Sequence, residues 1–267
     1  MTELTKGFAL ITGASAGIGA TYADRLARRG YGLILVARHA DRLQDIAERI
    51  PAATRRKVET VVADLSDRAD LSRIEDILRN DARISLLVNN AGLGPVTPLL
   101  NSNVEAMSNV IAVNIDALMR LTYAVVPKFV ERGAGSIINM SSGVAIGPEL
   151  LNGVYSASKA FVLAFSQSLK HELADKGVRI QVVLPGVVAT ESWANNGMPV
   201  ENLPKEMVMS ADAMVDAALA GFDQGEFATA PSLPDRTQWD AFDQARRALF
   251  QNLSGSAPAA RYGTTSS

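Results

Sequence analysis

The chain has 267 residues, 48% of them hydrophobic, enough to bury a large core without disulfide or metal staples. Its 26 basic and 28 acidic side chains give a net charge of −2, which argues against a nucleic-acid partner. There is no cysteine, so disulfides, thiolate metal sites and a cysteine nucleophile are excluded, and two separated histidines (His39 and His171) make no metal site. The start, "MTELTKGFALITGA", has acidic Glu3 and no apolar signal-peptide core, and no apolar run approaches a membrane span. The expectation is a cytoplasmic protein with neither a membrane nor a nucleic-acid partner.

The first expected strand, "FALIT" (8–12), runs into "TGASAGIG" (12–19), which opens a helix from about Gly17 to Arg29. Glycines at a strand-to-helix turn remove side chains where a phosphate approaches a helix N-terminus, whose free N–H groups and partial positive charge favour anions. On this reading Gly13 allows the tight turn, Gly17 the approach of phosphate and Gly19 close helix–strand contact. The spacing is G-x-x-x-G-x-G rather than the common G-x-G-x-x-G. The second strand, "LILVA" (33–37), is followed by Arg38. An acidic residue at that place would bind the ribose 2′-hydroxyl of NAD, whereas a guanidinium suits a 2′-phosphate. NADP(H) is therefore expected over NAD(H).

Further along, helical spacing at Leu43, Ile46, Ala47 and Ile50 precedes a strand, "VETVVA" (58–63). Leu71, Ile74, Ile77 and Leu78 mark the next helix, before "SLLVN" (85–89). Long helices are expected over about 101–131 and 153–176, around the strand "SIINM" (136–140). "IQVVL" (180–184), a helix at 211–223 and "EFATA" (226–230) complete the alternation. Continuous apolar strands alternating with helices predict a parallel sheet covered on both faces. Residues 190–210 form a long segment with two prolines and three methionines, read as a lid. A further amphipathic helix is expected within 235–253 and a disordered tail over 254–267, so that residues 1–253 make one domain.

"YSASK" places Tyr155 and Lys159 on one face of the 153–176 helix. A lysine cation beside a phenol favours the phenolate and tunes it for proton exchange. With these motifs in order, the chain resembles the short-chain dehydrogenase/reductase family in its ordinary-length form, over roughly residues 6 to 230. "TGASAGIG" resembles its cofactor turn, "NNAG" (89–92) its cofactor-supporting motif, "MSS" (140–142) its serine strand and "LPGVVAT" (184–190) its proline–glycine motif. Asn114 in "VIAVNIDA" and Asp64 in "VVADLS" match two further positions. The four-residue Tyr–Lys interval differs from the enoyl-reductase variant, and the chain is too short for the extended, epimerase-like members.

The resemblance implies a doubly wound (Rossmann-type) α/β sheet of about seven strands, here with an extra C-terminal helix. It implies interconversion of a carbonyl compound and its alcohol, with Tyr155 as general acid or base, Ser142 holding the substrate oxygen, Lys159 lowering the Tyr155 pKa, and Asn114 supporting a proton path. Gly13, Ser15, Gly17, Ile18, Gly19, Arg38, Asp64, Leu65, Asn90, Ala91, Gly92, Pro185, Gly186, Val188 and Thr190, with Tyr155 and Lys159, would bind the cofactor. His39 or Arg42 would join Ser15 and Arg38 at the 2′-phosphate, since Ala16 supplies no basic group inside the turn. Leu93, Val144, Trp193 and Met198, with Met207, Met209, Leu150 and Leu151, would line an apolar substrate pocket. Family members commonly pair through the two long helices, so a homodimer or homotetramer is expected. A non-catalytic NADP(H)-binding sensor or scaffold is the alternative, and the intact Ser142, Tyr155 and Lys159 weigh against it.

Overall fold

In a computed structural model, which describes residues 6–94, 97–151, 153–191, 193 and 199–263, strands and helices alternate as the periodicity predicts. Seven strands form one sheet among the described residues: β1 (Phe8–Thr12), β2 (Gly32–Ala37), β3 (Val58–Val62), β4 (Ile84–Asn89), β5 (Gly135–Met140), β6 (Val178–Val183) and β9 (Ala228–Thr229). Their order is β3-β2-β1-β4-β5-β6-β9, and every pairing is parallel. The fold is the expected doubly wound α/β sheet.

Strand residues alternate between two cores. Ala9 and Ile11 of β1 face α1 (Gly17–Arg28), α2 (Ala40–Thr54) and α7 (Ala211–Asp223). Leu10 faces α3 (Arg68–Asn80), α5 (Leu118–Arg132) and α6 (Gly153–Glu172) on the other side. With both faces covered, most side chains on either face are apolar, which is why the strands read as nearly continuous apolar runs. Strand order reverses between β1 and β4, and in such sheets ligands bind beyond the carboxyl ends of the strands at that reversal.

Three features lay beyond the reach of periodicity. The long helix expected over 101–131 is α4 (Val104–Ile111) and α5 joined by a π-helical stretch, Ala112–Ala117, that contains Asn114. Inserted π turns of this kind recur at functional sites. Within 190–210, β8 (Val208–Ser210) pairs in parallel with β7 (Val187–Ala189), and three-residue strands are too short to show a period. Contrary to the sequence reading, the Val104–Arg132 helix contains an 18-residue window with a mean hydropathy of 1.4, long and apolar enough by length and composition to cross a membrane. Its Leu121, Ala124, Val125 and Phe129 are buried in the core shared with α3 and the sheet.

The chain divides into two compact units, Met1–Pro231 and Ser232–Ser267. The second contains α8 (Arg236–Phe250), whose N-terminus is capped by Asp235 and whose Trp239 and Phe242 rings lie 5.5 Å apart. The tail beyond residue 263 lies outside the described residues.

One buried carboxylate ties α3 to α5. Glu75 accepts from Arg79 of its own helix and from Arg120 of α5. Burial pushes its carboxyl up, but the hydrogen bonds from Arg79 and Arg120 outweigh this and hold it below its ordinary 4.5. Glu75→Gln removes the charge and one of the two acceptor oxygens, so that one guanidinium group faces an amide N–H in place of an acceptor. It should lower the unfolding free energy by about 2 kcal/mol at neutral pH, measured by denaturant melts. A depressed folded pKa gives stability that is present above the unfolded value and lost as pH falls through the folded one. The gap between wild type and Glu75→Gln should therefore close as the medium is acidified below the ordinary carboxylate range.

Candidate active site

β1 ends at Thr12, and Gly13 then turns the backbone through the left-handed region at φ 66°. A Cβ on Gly13 would stand 2.9 Å from Ala91 Cα, and one on Gly19 would stand 2.2 Å from the Gly13 carbonyl oxygen. Both positions exclude any side chain. The turn after β1 is bolted to the turn after β4: Asn90 Nδ2 donates to the Thr12 and Gly13 carbonyls at 2.9 and 3.2 Å. Thr12 Oγ1 accepts from the Asn90 and Ala91 amides, both at 3.0 Å. The N-cap of α1 is Ala16, whose side chain can accept nothing from the first helical N–H groups. Gly17, expected at the phosphate, packs against Thr190, whose Cγ2 lies 3.1 Å from where its Cβ would be. Ile18 packs into the core beneath the turn.

The carboxyl ends of β1 to β4 surround a cavity of about 130 Å³ lined by Gly13, Ser15, Arg38, His39, Asp64, Leu65, Ala91, Gly92 and Leu93. Arg38 Nη1 is 3.9 Å from Asp64 Oδ2, and the Arg38 side chain is half exposed. Burial pushes the Asp64 carboxyl up, but hydrogen bonds from the Ser66 hydroxyl and amide, with the Arg38 charge, bring it below its ordinary 3.8. Arg42 donates instead to Glu191 at 2.6 Å, joining α2 to the segment that follows Thr190. A larger groove of about 840 Å³, between the β3 edge and α3, holds none of the predicted site residues. The uncapped helix N-terminus, the glycine-rich turn and the guanidinium at the end of β2 fit a dinucleotide carrying an additional phosphate.

Beside this cavity, Ser142, Tyr155, Lys159 and Asn114 converge from β5, α6 and the π-helical stretch. Ser142 hydrogen-bonds the Tyr155 phenol. Its Oγ also lies 3.4 Å from the Pro185 carbonyl, which accepts from Gly143 N at 2.8 Å. Lys159 Nζ donates to the Met140 carbonyl at 3.1 Å and lies 5.8 Å from the centre of the Tyr155 ring. Ser141 Oγ donates to the Lys159 carbonyl at 2.7 Å. A Cβ on Gly92 would touch both Asn114 Oδ1 and Lys159 Nζ at 3.3 Å, and one on Gly94 would meet the Tyr155 ring at 3.3 Å. Thr12 and Ser141, inside recognised motifs, and Gly94, just past "NNAG", thus shape the site without having been given a role in the sequence reading.

The electrostatics differ from expectation. Burial raises the Tyr155 phenol above its ordinary 10.0, opposed only in part by Ser142. Burial also lowers the Lys159 amine from 10.5 to about 8. The expected lowering of Tyr155 by Lys159 is not what this arrangement gives, because desolvation acts on both groups and the ammonium is directed at Met140.

On the substrate side, Val144 is buried, with its amide 3.4 Å from Ser142 Oγ. Trp193 is half-buried, and its amide donates to the Thr190 carbonyl at 3.3 Å. Val188 is buried and Gly186 exposed, while Leu150 and Met207 are exposed. Met198 lies outside the described residues.

A sequence model of the short chain dehydrogenase family matches residues 7–199. The chain is 40% identical over 186 residues to the 17-beta-hydroxysteroid dehydrogenase type 3 of Rattus norvegicus, spanning 68% of this chain but only 60% of that enzyme. It superposes with TM-score 0.92 on a short-chain dehydrogenase from Sphingobium yanoikuyae solved in complex with NADPH, at 45% identity, covering 95% of this chain and 98% of that one. A bulky-bulky ketone specific alcohol dehydrogenase from Comamonas testosteroni matches with TM-score 0.89 and 41% identity, covering 96% and 98%.

Burial of Lys159 has a thermodynamic consequence. Its folded pKa lies below its unfolded one, so the unfolded chain binds more protons between about 8 and 10.5 and stability rises with pH there. Below that window the buried ammonium opposes folding. Lys159→Met should therefore raise the melting temperature at neutral pH, by up to about 3 kcal/mol in stability, and the advantage should shrink from pH 8 to 10.5. Calorimetry across that range checks both signs.

Proposed function

The chain belongs to the short-chain dehydrogenase/reductase family, and we propose that it is an NADP(H)-dependent oxidoreductase interconverting a bulky, mainly apolar ketone or aldehyde and its alcohol. The observation that carries this reading is the convergence of Ser142, Tyr155, Lys159 and Asn114 beside a glycine-rich turn at a helix N-terminus. The S. yanoikuyae enzyme solved with NADPH supports the cofactor, and the ketone specificity of the C. testosteroni enzyme supports the substrate class.

The N–H groups at the start of α1 would hold the pyrophosphate, and Arg38 with Ser15 the 2′-phosphate. Asp64 and Leu65 would flank the adenine, and Asn90, Ala91 and Gly92 would form the floor. Pro185, Gly186, Val188 and Thr190 would border the nicotinamide. When bound, the cofactor supplies or accepts the hydride at the carbonyl carbon. In reduction Tyr155 Oη gives its proton to the carbonyl oxygen, and Ser142 Oγ donates a hydrogen bond to that oxygen. A raised Tyr155 pKa keeps the proton in place through neutral pH, as a general acid requires. A pKa of about 8 keeps Lys159 charged at neutral pH, with Nζ 5.8 Å from the centre of the ring on which the phenolate forms. Leu93, Val144 and Trp193 provide the apolar wall that turns the carbonyl toward Tyr155 and excludes water.

Two variants test the reading. Tyr155→Phe should lower kcat for NADPH-dependent ketone reduction by about a thousandfold, the range for losing a positioned general acid, with NADPH affinity retained. Retained turnover would refute the role of Tyr155. Arg38→Asp should weaken NADPH binding at least about thirtyfold and leave NADH binding unchanged, measured by fluorescence titration. An equal effect on both cofactors would mean that Arg38 does not touch the 2′-phosphate.

A further inference from the structure

The Asn114 carboxamide is held by two different parts of the molecule. On one side it closes a two-point contact with the turn after β4: Oδ1 accepts from Leu93 N at 2.8 Å, and Nδ2 donates to the Leu93 carbonyl at 2.9 Å. This pairing settles which end of the amide is oxygen, since a flip would set donor against donor and acceptor against acceptor. On the other side the second Nδ2 hydrogen goes to Ser158 Oγ at 3.0 Å. Ser158 lies on α6, between Tyr155 and Lys159, and is fully buried.

The Ser158 hydroxyl is fully committed as well. It donates to the Tyr155 carbonyl at 2.7 Å, so toward Asn114 it can only accept. A serine that bonds back to its own helix is ordinary and needs no explanation. The helix does not account for a second bond, made in the buried interior, to an amide 44 positions away in sequence. That bond is a direct side-chain connection between the π-helical stretch carrying Asn114 and the helix carrying Tyr155 and Lys159.

We propose that Ser158 is a positioning residue, which sets the register of the Tyr155–Lys159 helix against Asn114. The inference rests on the functional reading above, in which Asn114 supports proton movement to Lys159. Asn114 Oδ1 and Lys159 Nζ flank Gly92 from two sides, each 3.3 Å from where a Cβ on it would sit. A small displacement of α6 changes the separation of these two groups directly. Ser141, which donates to the Lys159 carbonyl at 2.7 Å, fixes the same helix to the end of β5 but makes no bond to Asn114. Ser158 therefore governs the Asn114 side of the site alone. Replacing it by alanine leaves the Nδ2 hydrogen buried without an acceptor, and the amide and helix then move apart or admit water.

A double-mutant cycle on the full chain tests this, with Ser158→Ala, Asn114→Ala and the combination. Kinetics of NADPH-dependent ketone reduction are measured beside the NADPH dissociation constant and the melting temperature. Ser158→Ala should lower kcat about tenfold, equivalent to one hydrogen bond of transition-state positioning. The ketone KM and the NADPH dissociation constant should stay at the wild-type values. In the Asn114→Ala background the same change should cost kcat nothing further, because its effect passes through Asn114. Asn114→Asp, which removes the Nδ2 donor and keeps the shape, serves as the second corner if Asn114→Ala does not fold.

A full tenfold loss recurring in the Asn114 background would overturn the proposal, as would an unchanged kcat in Ser158→Ala. Wild-type kcat in the Asn114 variants, with Tyr155→Phe inactive, would overturn this proposal and leave carbonyl reduction standing. A fully active Tyr155→Phe would overturn the functional reading and this proposal together.

Discussion

A lysine ammonium buried between a helix and the end of a strand is the constraint around which the site is arranged. Lys159 is 6% exposed and spends one hydrogen on the Met140 carbonyl at 3.1 Å. Burying a charge with so few partners is costly, and the amine responds by titrating near 8 instead of 10.5. A group poised so near neutrality is sensitive to small changes in its surroundings. The helix that carries it must therefore be fixed closely, and two bonds do this: Ser141 Oγ donates to the Lys159 carbonyl, and Asn114 Nδ2 donates to Ser158 Oγ, one residue before Lys159. A buried polar ladder also runs from Asn89 to Asn139 to Ser166, with both steps at 3.0 Å, tying β4 and β5 to α6 about two helical turns past Lys159.

The sheet topology supplies the other half of the site. Because strand order reverses between β1 and β4, their carboxyl ends diverge and leave a cavity between two turns. Those turns are not independent, since Asn90 and Thr12 bond each turn to the other. The turn that leads into α1 and the floor of the cleft are thus fastened to one another. Ser142, Tyr155 and Lys159 sit on the next strand end and helix along, so in the proposed reaction cofactor and substrate would meet at the β4–β5 seam.

Much of this was legible in the sequence because it is written in local patterns. Continuous apolar runs announced strands covered on both faces, and three glycines between a strand and a helix announced the turn. Tyr155 and Lys159 could be placed on one helical face by spacing alone. Asn114 was recognised only through family resemblance, since nothing in "VIAVNIDA" announces a π turn. Ser158 was invisible for a different reason: its partner lies on another helix, and folding alone brings the two within 3.0 Å. The direction of the Tyr155 shift was misjudged because adjacency to a cation can be read from spacing, whereas desolvation depends on everything else that packs around the phenol. The β7–β8 pair was missed because three residues carry no periodicity.

The central claim is that this arrangement turns over. Its most direct test is to incubate the wild-type chain with NADPH and a bulky diaryl ketone, following cofactor oxidation and alcohol formation together, with NADH in parallel. The account predicts one alcohol formed for each NADPH oxidised, with NADH far slower. Tight NADPH binding with no alcohol from any of a panel of bulky ketones, and no oxidation of the matching alcohols with NADP+, would contradict it and identify a cofactor-binding protein without this chemistry.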